Sequence, residues 1–320
     1  MESCVDCKRT IGPLHDRRSR PIVLSLDGGG VRGLFQARIL QRISQDFDVC
    51  LCSIFDMVVG TSIGGVIALT IAQANKRSVS KYINNFFDAR LMQRIANKSL
   101  LDDLLDVFKF SPLYDGKGKA EVFDEQFYPC SIGELGLPCI VTAYDVKKCK
   151  PKLFCSWRDQ DNSIGTSTLA DLATSPPVYF PPIKIGDTYF MDGGVAVNNP
   201  ASVANNVGGD FFPLQEIKIL SIGTGIYKEK WNEENLQNWG GLNWLYHGVL
   251  DLLMEAPGQA VNTVLEEKLR ERFLRIDSDD IADIRLDDSS DESIRRIIAS
   301  ADKIFDREKD RIKEFTIGTQ

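Results

Sequence analysis

The sequence has no excess of positive charge, since 45 acidic residues outnumber 38 lysines and arginines and the net charge is −7. An acidic chain lacks the general electrostatic attraction by which proteins bind nucleic acid or anionic membranes. We therefore expect no nucleic-acid partner. With 320 residues, of which 43% are hydrophobic, the chain is long enough for a large core and for one or two domains.

Long apolar segments are missing as well. The first twenty residues, "MESCVDCKRTIGPLHDRRSR", contain no apolar stretch of the kind that a secretory signal needs. The one region of membrane-spanning length, residues 55–74, is interrupted by Asp56 and by glycines and hydroxyl residues at 60–65. We expect no signal peptide, no transmembrane helix, and a cytoplasmic protein that is at most peripheral at membranes.

The eight cysteines show no regular framework, and without a secretory signal they are expected to be reduced. Cys4-x-x-Cys7 has the spacing of half a zinc site. Structural zinc takes four ligands, however, and the only other close pair, Cys50 and Cys52, has a single intervening residue. We favour free thiols over a zinc site and expect no metal and no cofactor.

Apolar runs and helical patterns alternate along the chain. Residues 22–26 form a continuous apolar run, as expected of a strand buried on both faces, and apolar residues then recur at steps of three and four. Further strands are predicted at 57–59, 139–146, 152–156 and 216–225, with helical patterns between or after them. This alternation predicts a three-layer α/β domain with a largely parallel sheet.

The carboxyl-terminal part is predicted to be helical. A first apolar stripe comprises Val261, Val264, Leu265, Leu269 and Phe273. A second comprises Ile294, Ile297, Ile298, Ala301, Ile304 and Phe305 and follows a Ser289-x-x-Glu292 capping box. We divide the chain into a polar segment 1–20, a domain 21–275 and a helical segment 276–320 that packs on the domain.

The glycines after the first strand have the spacing of a dinucleotide-binding loop. Gly28, Gly30 and Gly33 match G-x-G-x-x-G. A dinucleotide fold also needs an acidic residue about twenty positions further on, at the end of its second strand, to hold the ribose. Here the second strand ends in "GTS". We therefore expect no nucleotide at this loop.

The end of the second strand matches a nucleophile elbow instead, with the pattern Gly60-x-Ser62-x-Gly64. In such an elbow the serine lies on a strained strand-to-helix turn, which needs small neighbours two residues away on either side. The following helix then directs its first N–H groups towards the serine. The same pattern also suits an ordinary tight turn, so the hypothesis requires a catalytic base.

Few residues qualify as that base, because the chain has only two histidines. His15 lies in a charged segment, and His247, although it follows Ser62 in the order of an α/β-hydrolase, lies in a stretch typical of a helix interior. Asp192 follows a short apolar strand and precedes two glycines that permit close approach. A carboxylate within about 2.6–3.2 Å can act on serine directly, and burial would raise its basicity.

Three blocks, "DGGGVRG", "GTSIGG" and "DGG", occur in the order and spacing of the patatin-like phospholipase family, which the chain resembles over residues 20–275. Three further blocks are also typical of it: "ATSPPVYFPP", "VNNP" and "ILSIGTG". The resemblance implies a three-layer α/β/α patatin-like fold with a mostly parallel central sheet. It implies hydrolysis of fatty-acyl esters of phospholipids, lysophospholipids or neutral glycerolipids without a metal cofactor.

The resemblance also implies roles for single residues. Ser62 would be the nucleophile and Asp192 its general base. The backbone of the glycine loop would form the oxyanion hole, with Gly28, Gly29, Gly30, Arg32 and Gly33 as its residues. The Arg32 side chain would either contact a lipid phosphate or brace the loop, and both roles stay open. Ile63, where many members carry a small or polar residue, would narrow the pocket without removing a catalytic group.

Two stretches rich in aromatic and aliphatic residues, 82–113 and 231–254, are candidates for an interfacial surface or lid. Packing on the sheet is favoured for both, because buried helices have the same composition. The second stretch carries Trp231, Trp239 and Trp244, and basic candidates for headgroup contact are Arg17, Arg18 and Arg20. Two alternative functions stay open: a patatin-like effector that is silent until a partner or ligand activates it, and an acyltransferase.

Overall fold

The computed structural model describes residues 2–8, 10–11, 20–85, 116–177, 179–213, 215–226, 240 and 249–318. The strands are β1 (Glu2–Ser3), β2 (Thr10–Ile11), β3 (Ile22–Leu26), β4 (Met57–Gly60), β5 (Cys139–Asp145), β6 (Lys150–Cys155), β7 (Ile183–Ile185), β8 (Thr188–Asp192), β9 (Lys218–Ile222) and β10 (Phe273–Ile276). The helices are α1 (Gly33–Asp46), α2 (Leu51–Ile54), α3 (Ile63–Ala72), α4 (Val79–Asn85), α5 (Lys117–Gln126), α6 (Thr166–Ala173), α7 (Ala201–Phe211), α8 (Val249–Leu269) and α9 (Asp291–Thr316).

Eight of these strands form one central sheet in the order β10-β9-β3-β4-β5-β8-β7, and β6 pairs with β5 outside that path. The five neighbours from β10 to β5 run parallel, whereas β6, β7 and β8 are paired antiparallel. Parallel neighbours need long crossover connections, and helices supply them here. The predicted mostly parallel sheet is confirmed.

Helices cover both faces of the sheet. In β3, Ile22, Leu24 and Leu26 belong to a core cluster with side chains of α1, α3, α6 and α9, whereas Val23 belongs to a second cluster with side chains of α7 and α8. Successive side chains of a strand point to opposite faces, so the two clusters are the two sides of the sheet. The three-layer α/β/α architecture is confirmed.

The carboxyl-terminal helix α9 packs on α1 and completes one outer layer. Ile297 and Ala301 are fully buried in the first core cluster. Ion pairs tie the same two helices together, with Arg38 Nε 2.8 Å and Arg42 Nη1 2.8 Å from Asp302 Oδ1.

Three details of the predicted carboxyl-terminal helices are wrong. Phe273 lies in β10 rather than in a helical stripe, because α8 ends at Leu269 and the next residues pair with β9 at the sheet edge. Val264, predicted to face the core, is 59% exposed. The cap of α9 is Ser290 rather than Ser289, and its side chain accepts a hydrogen bond from the Ser293 N–H.

Four of the eight cysteines, which are all free thiols, come together in the fold. The short hairpin of β1 and β2 carries Cys4 and Cys7 in its turn and lies against the segment that holds Cys50 and Cys52. All four Sγ atoms lie within 4.8 Å of one another. Sequence spacing did not indicate this contact, because the two pairs are about 45 residues apart in the chain and meet only through the fold.

Within the described ranges, no helix combines the length and the apolar character needed to cross a bilayer. Several residues named above lie outside those ranges: His15, Arg17, Arg18, Trp231, Trp239, Trp244 and His247. Most of the two candidate interfacial stretches, 86–113 and 231–239 together with 241–248, also lies outside them. Arg20 is described, and its guanidinium is 3.4 Å from Glu216 on the surface.

Candidate active site

The ends of β4 and β8 meet on the same edge of β5. Gly60 pairs with Val141 in parallel register, and Asp192 pairs with Ala143 in antiparallel register. Ala143 lies two residues beyond Val141, and Ser62 lies two residues beyond Gly60, so the register brings the serine and the aspartate to the same level. There the Ser62 Oγ–H donates a hydrogen bond of 2.6 Å to Asp192 Oδ2. The structure therefore brings the two predicted residues into direct contact.

The backbone of Ser62 is strained, with φ 54° and ψ −128°, a region that costs a non-glycine residue about 1–3 kcal/mol. Tight packing of the elbow maintains this conformation. A Cβ on Gly60 would lie 2.2 Å from the carbonyl oxygen of Gly64, and one on Gly64 would lie 2.4 Å from that of Leu26. The absence of these side chains lets α3 begin directly against the strand ends. The turn holds the Ser62 side chain at the first turn of α3.

Asp192 is buried, with only 2% of its surface exposed. Its Oδ1 accepts a hydrogen bond of 2.7 Å from the Gly194 N–H, while Oδ2 accepts the one from Ser62. Burial raises the pKa of this carboxyl to about 6, against the hydrogen bonds from Ser62 and Gly194 and the charge of Lys119, which lower it. Asp192 is thus an ionised but more basic carboxylate at neutral pH.

Lys119 lies behind the aspartate and was not found by sequence analysis. Its buried ammonium group donates to the carbonyl oxygens of Asp171 and Thr174 at 2.7 Å each and to Ser175 Oγ at 2.6 Å. The carbonyl of Ser175 in turn accepts the N–H of Asp192 at 3.1 Å. Desolvation lowers the pKa of Lys119 to about 8, opposed mainly by the charge of Asp171. Its sequence context, "KGKAEVF", is that of an exposed helix and offers no signal.

The glycine loop lies directly against the serine. A Cβ on Gly28 would lie 3.1 Å from Ser62 Cβ and 2.4 Å from Asn198 Oδ1. The carbonyl oxygen of Gly28 accepts a hydrogen bond of 2.6 Å from the Thr224 hydroxyl, and its N–H donates to the Asn198 carbonyl at 3.0 Å. The blocks "VNNP" and "SIGTG", which the resemblance included, thus hold the loop in place.

Only part of the loop has N–H groups available for a ligand. The N–H of Gly28 is used as described, that of Arg32 donates to the Gly29 carbonyl at 3.1 Å, and that of Gly33 donates to the Gly30 carbonyl. The N–H groups of Gly29 and Gly30 have no acceptor within the described part of the chain. This narrows the predicted set of oxyanion donors from five residues to two.

The Arg32 side chain braces the loop against α8. Its side chain is only 6% exposed, and its guanidinium lies 3.4 Å from Glu255 Oε1. Burial raises the pKa of Glu255 to about 7, while the positive charge of Arg32 opposes this rise. Of the two roles that the sequence left open, this geometry favours bracing over contact with a lipid phosphate.

A second buried ion network holds the start of the loop. Arg275 in β10 donates through Nη2 to Asp27 at 2.6 Å and to Asp277 at 2.7 Å, and through Nη1 to Ser221 at 2.7 Å. These residues lie at or near the ends of three neighbouring strands. The network therefore ties β3, β9 and β10 together where the loop begins, and no sequence pattern had singled out Arg275.

Two further expectations concern Ile63 and the histidines. Ile63 is 5% exposed and packs in the core so closely to α1 that a Cβ on Gly33 would lie 2.6 Å from it. It is therefore a packing residue between α3 and α1. The described part of the chain contains no histidine, since His15 and His247 both fall outside it. Asp192 is the described residue that reaches Ser62 Oγ.

Known proteins are similar to this chain over most of its length. A family model described as patatin-like phospholipase matches residues 24–205. Patatin-like protein 2 of Arabidopsis thaliana is 29% identical over 302 residues, which cover 80% of this chain and 73% of that protein. Patatin-2-Kuras 1 of Solanum tuberosum is 28% identical over 262 residues, or 70% and 68% of the two chains. Among solved structures, VipD from Legionella pneumophila is similar with a TM-score of 0.46 and 10% identity, over 91% of this chain and 67% of that one.

Proposed function

The chain belongs to the patatin-like phospholipase family, and we propose that it cleaves fatty-acyl ester bonds of phospholipids or related glycerolipids with Ser62 as nucleophile and Asp192 as general base. Membership of the family supports lipid acyl hydrolysis in general. The Ser-Asp dyad and the substrate class are what we add. Because such substrates lie in membranes, the enzyme would act by peripheral contact with a lipid surface.

The observation that carries the proposal is the 2.6 Å hydrogen bond from the strained Ser62 to the buried Asp192. A serine hydroxyl is a weak nucleophile until a neighbouring base accepts its proton. Asp192 lies within direct reach, and its pKa of about 6 makes it a stronger base than an exposed carboxylate, yet ionised at neutral pH. The pair therefore needs no intervening imidazole.

In the acylation step, Ser62 Oγ attacks the ester carbonyl carbon while its proton passes to Asp192. The carbonyl oxygen becomes an oxyanion, and the N–H groups of Gly29 and Gly30, which have no acceptor among the described residues, are its proposed donors. A preorganised donor of this kind contributes about 3–4 kcal/mol to the stability of the transition state. Collapse of the intermediate breaks the ester bond, and the alcohol leaves with the proton from Asp192.

Deacylation repeats the chemistry with water. Asp192 accepts a proton from a water molecule while the water oxygen attacks the acyl-serine carbonyl. The N–H groups of Gly29 and Gly30 hold the second oxyanion. The proton then returns to Ser62 Oγ as the fatty acid is released. Both steps use the base in the same position, so one carboxylate serves the complete cycle.

The test is release of free fatty acid from mixed phospholipid vesicles. Ser62→Ala and Asp192→Asn should each lower the rate by about 10³-fold or more, because the two residues act as a unit. Ser163→Ala, which removes an exposed hydroxyl outside the site, is the matched control and should keep the rate of the unaltered chain. Circular dichroism establishes that each variant is folded.

Two further arms distinguish the remaining mechanisms. His247→Ala should retain most of the activity, and a loss as large as that of Asp192→Asn in a folded protein would contradict the dyad. Added lysolipid or alcohol acceptors should leave free fatty acid as the main product. If acylated acceptor accumulates instead, the enzyme is an acyltransferase rather than a hydrolase.

A further inference from the structure

Four cysteines from two distant segments converge on one point of the structure, away from the residues that act in the proposed chemistry. Their Sγ atoms all lie within 4.8 Å of one another. The separations are 3.5 Å between Cys4 and Cys50, 3.7 Å between Cys7 and Cys52, and 3.1 Å between Cys50 and Cys52. The cysteines are free thiols, since a disulfide bond would bring two sulfurs to about 2.05 Å.

These separations fit one tetrahedral metal ion. A Zn²⁺–thiolate bond is about 2.3 Å long, so sulfurs at the corners of a tetrahedron around zinc are about 3.8 Å apart. The separations of 3.5 and 3.7 Å lie within about 0.3 Å of this value. The separation of 3.1 Å between Cys50 and Cys52 is about 0.7 Å shorter, so metal binding would move these two sulfurs apart. Four cysteines with no other protein ligand also form one of the common structural zinc sites.

Local backbone structure aims both pairs at the shared point. Cys4 and Cys7 flank the turn of the β1–β2 hairpin, which the Lys8 N–H closes by donating to the Cys4 carbonyl at 3.0 Å. Cys50 directly precedes α2, and Cys52 lies in its first turn. A C-x-x-C turn facing a C-x-C segment can therefore supply two ligands from each side.

Within the described ranges, few other polar contacts attach the hairpin to the domain. Its strands contain two residues each, and an isolated hairpin of this size is not stable in water. Its described polar contacts to the domain include the Val5 N–H bond to the Ala74 carbonyl at 2.8 Å and the bonds from Ser80 to Asp6 at 3.2 Å. Thiol–thiol contacts are weak hydrogen bonds and add little. A metal cross-link would account for the burial of Cys4, which has no exposed surface.

We propose that Cys4, Cys7, Cys50 and Cys52 bind one structural Zn²⁺ ion that fastens the amino-terminal hairpin to the segment leading into β4. Binding forms four zinc–sulfur bonds, and the four thiol protons pass to solvent. The ion takes no part in catalysis, so this inference does not depend on the proposed function. The segment with Cys50 and Cys52 continues through β4 to the elbow at Ser62. Bound zinc would therefore stabilise the part of the domain that leads into the elbow.

The test is the metal content of the full chain, produced with zinc in the medium and purified under reducing conditions without chelator. Elemental mass spectrometry should find one zinc per chain. Cys149→Ser, which removes an exposed cysteine outside the cluster, should keep it, and Cys4→Ser combined with Cys7→Ser should lose it. Zinc that persists in the double variant, iron in place of zinc, or no metal in the unaltered chain would each overturn the proposal.

A second measurement uses only the unaltered chain and so does not depend on the folding of a variant. After removal of metal with a chelator, Co²⁺ should produce the thiolate charge-transfer absorption of a four-sulfur site, and Zn²⁺ should abolish it by displacement. Re-addition of Zn²⁺ should release protons and raise the melting temperature. Failure to bind Co²⁺, or peptide mapping that finds these cysteines paired as disulfides in the reduced preparation, would contradict a zinc site.

Discussion

Replacement of Asp192 by asparagine should make the protein more stable at neutral pH while it abolishes activity. The two side chains have nearly the same shape. Asparagine keeps one oxygen, which can accept the hydrogen bond from the Gly194 N–H, while its amide nitrogen takes the place of Asp192 Oδ2 and can donate to Ser62 Oγ. What changes is the buried charge. Asp192 is 2% exposed, and its ionised form is held in the protein against the cost of desolvation.

The magnitude follows from the pKa. Folding raises the pKa of Asp192 from 3.8 to about 6, so the folded state binds this proton more tightly than the unfolded state does. At about 1.4 kcal/mol per pH unit, ionisation of the folded protein costs about 3 kcal/mol of stability. This contribution is intact below pH 4 and is lost as the pH rises through 6. The asparagine variant does not lose it.

The assay is urea unfolding of both proteins at pH 4 and at pH 8. The variant should match the unaltered chain at the lower pH and exceed it by about 3 kcal/mol at the higher one. Other ionisable groups are common to both proteins, so their contributions cancel in the difference. Asp124→Asn, on the exposed side of α5, controls for the loss of a negative charge. The reasoning would be refuted if the difference in unfolding free energy between the two proteins were the same at both pH values. It would also be refuted if the unaltered chain were more stable than the variant at pH 8.

Two further predictions concern the support of the site. Activity of the unaltered chain should rise as the pH passes through about 6, where Asp192 ionises. Lys119→Met should move this rise to higher pH, because the charge of Lys119 lowers the pKa of Asp192. A pH–rate profile measures the shift, and a rise at the same pH in a folded variant would exclude the electrostatic role of Lys119. Gly64→Ala should destabilise the fold by about 1–3 kcal/mol or more and abolish activity, because its Cβ would lie 2.4 Å from the Leu26 carbonyl oxygen. Gly209→Ala in α7, whose Cβ would meet nothing within 4 Å, is the matched control and should be neutral or stabilising by up to about 1 kcal/mol in thermal unfolding.

Local patterns determined much of this protein before any tertiary contact was known. The run at 22–26, apolar except for Ser25, is β3, residue for residue, because a strand buried on both faces has a nearly continuous apolar sequence with sharp polar or glycine ends. The elbow at Gly60, Ser62 and Gly64 is equally local, since it depends on small residues within four positions of one another. The order of the blocks "DGGGVRG", "GTSIGG" and "DGG" was sufficient to indicate the family, because each block lies at the end of a strand in one sheet.

Contacts between distant segments were decided only by the tertiary structure. Asp192 was a candidate base among several until the register of β4 and β8 on β5 brought it to the level of Ser62. Lys119 and Arg275 became visible only as buried charges whose partners come from other elements. A sequence does not indicate which of its charged residues will be buried, because burial depends on what packs over them.

The available N–H donors and the cysteine cluster show the same division. The glycine spacing predicted a loop of donors, but only the folded backbone shows that Gly28 already donates to Asn198 while Gly29 and Gly30 have no acceptor among the described residues. The spacing of the cysteines argued against a metal site, because it counts positions along the chain. Ligands are brought together by distance in space, and the hairpin closes a separation of 46 residues between Cys4 and Cys50 to 3.5 Å.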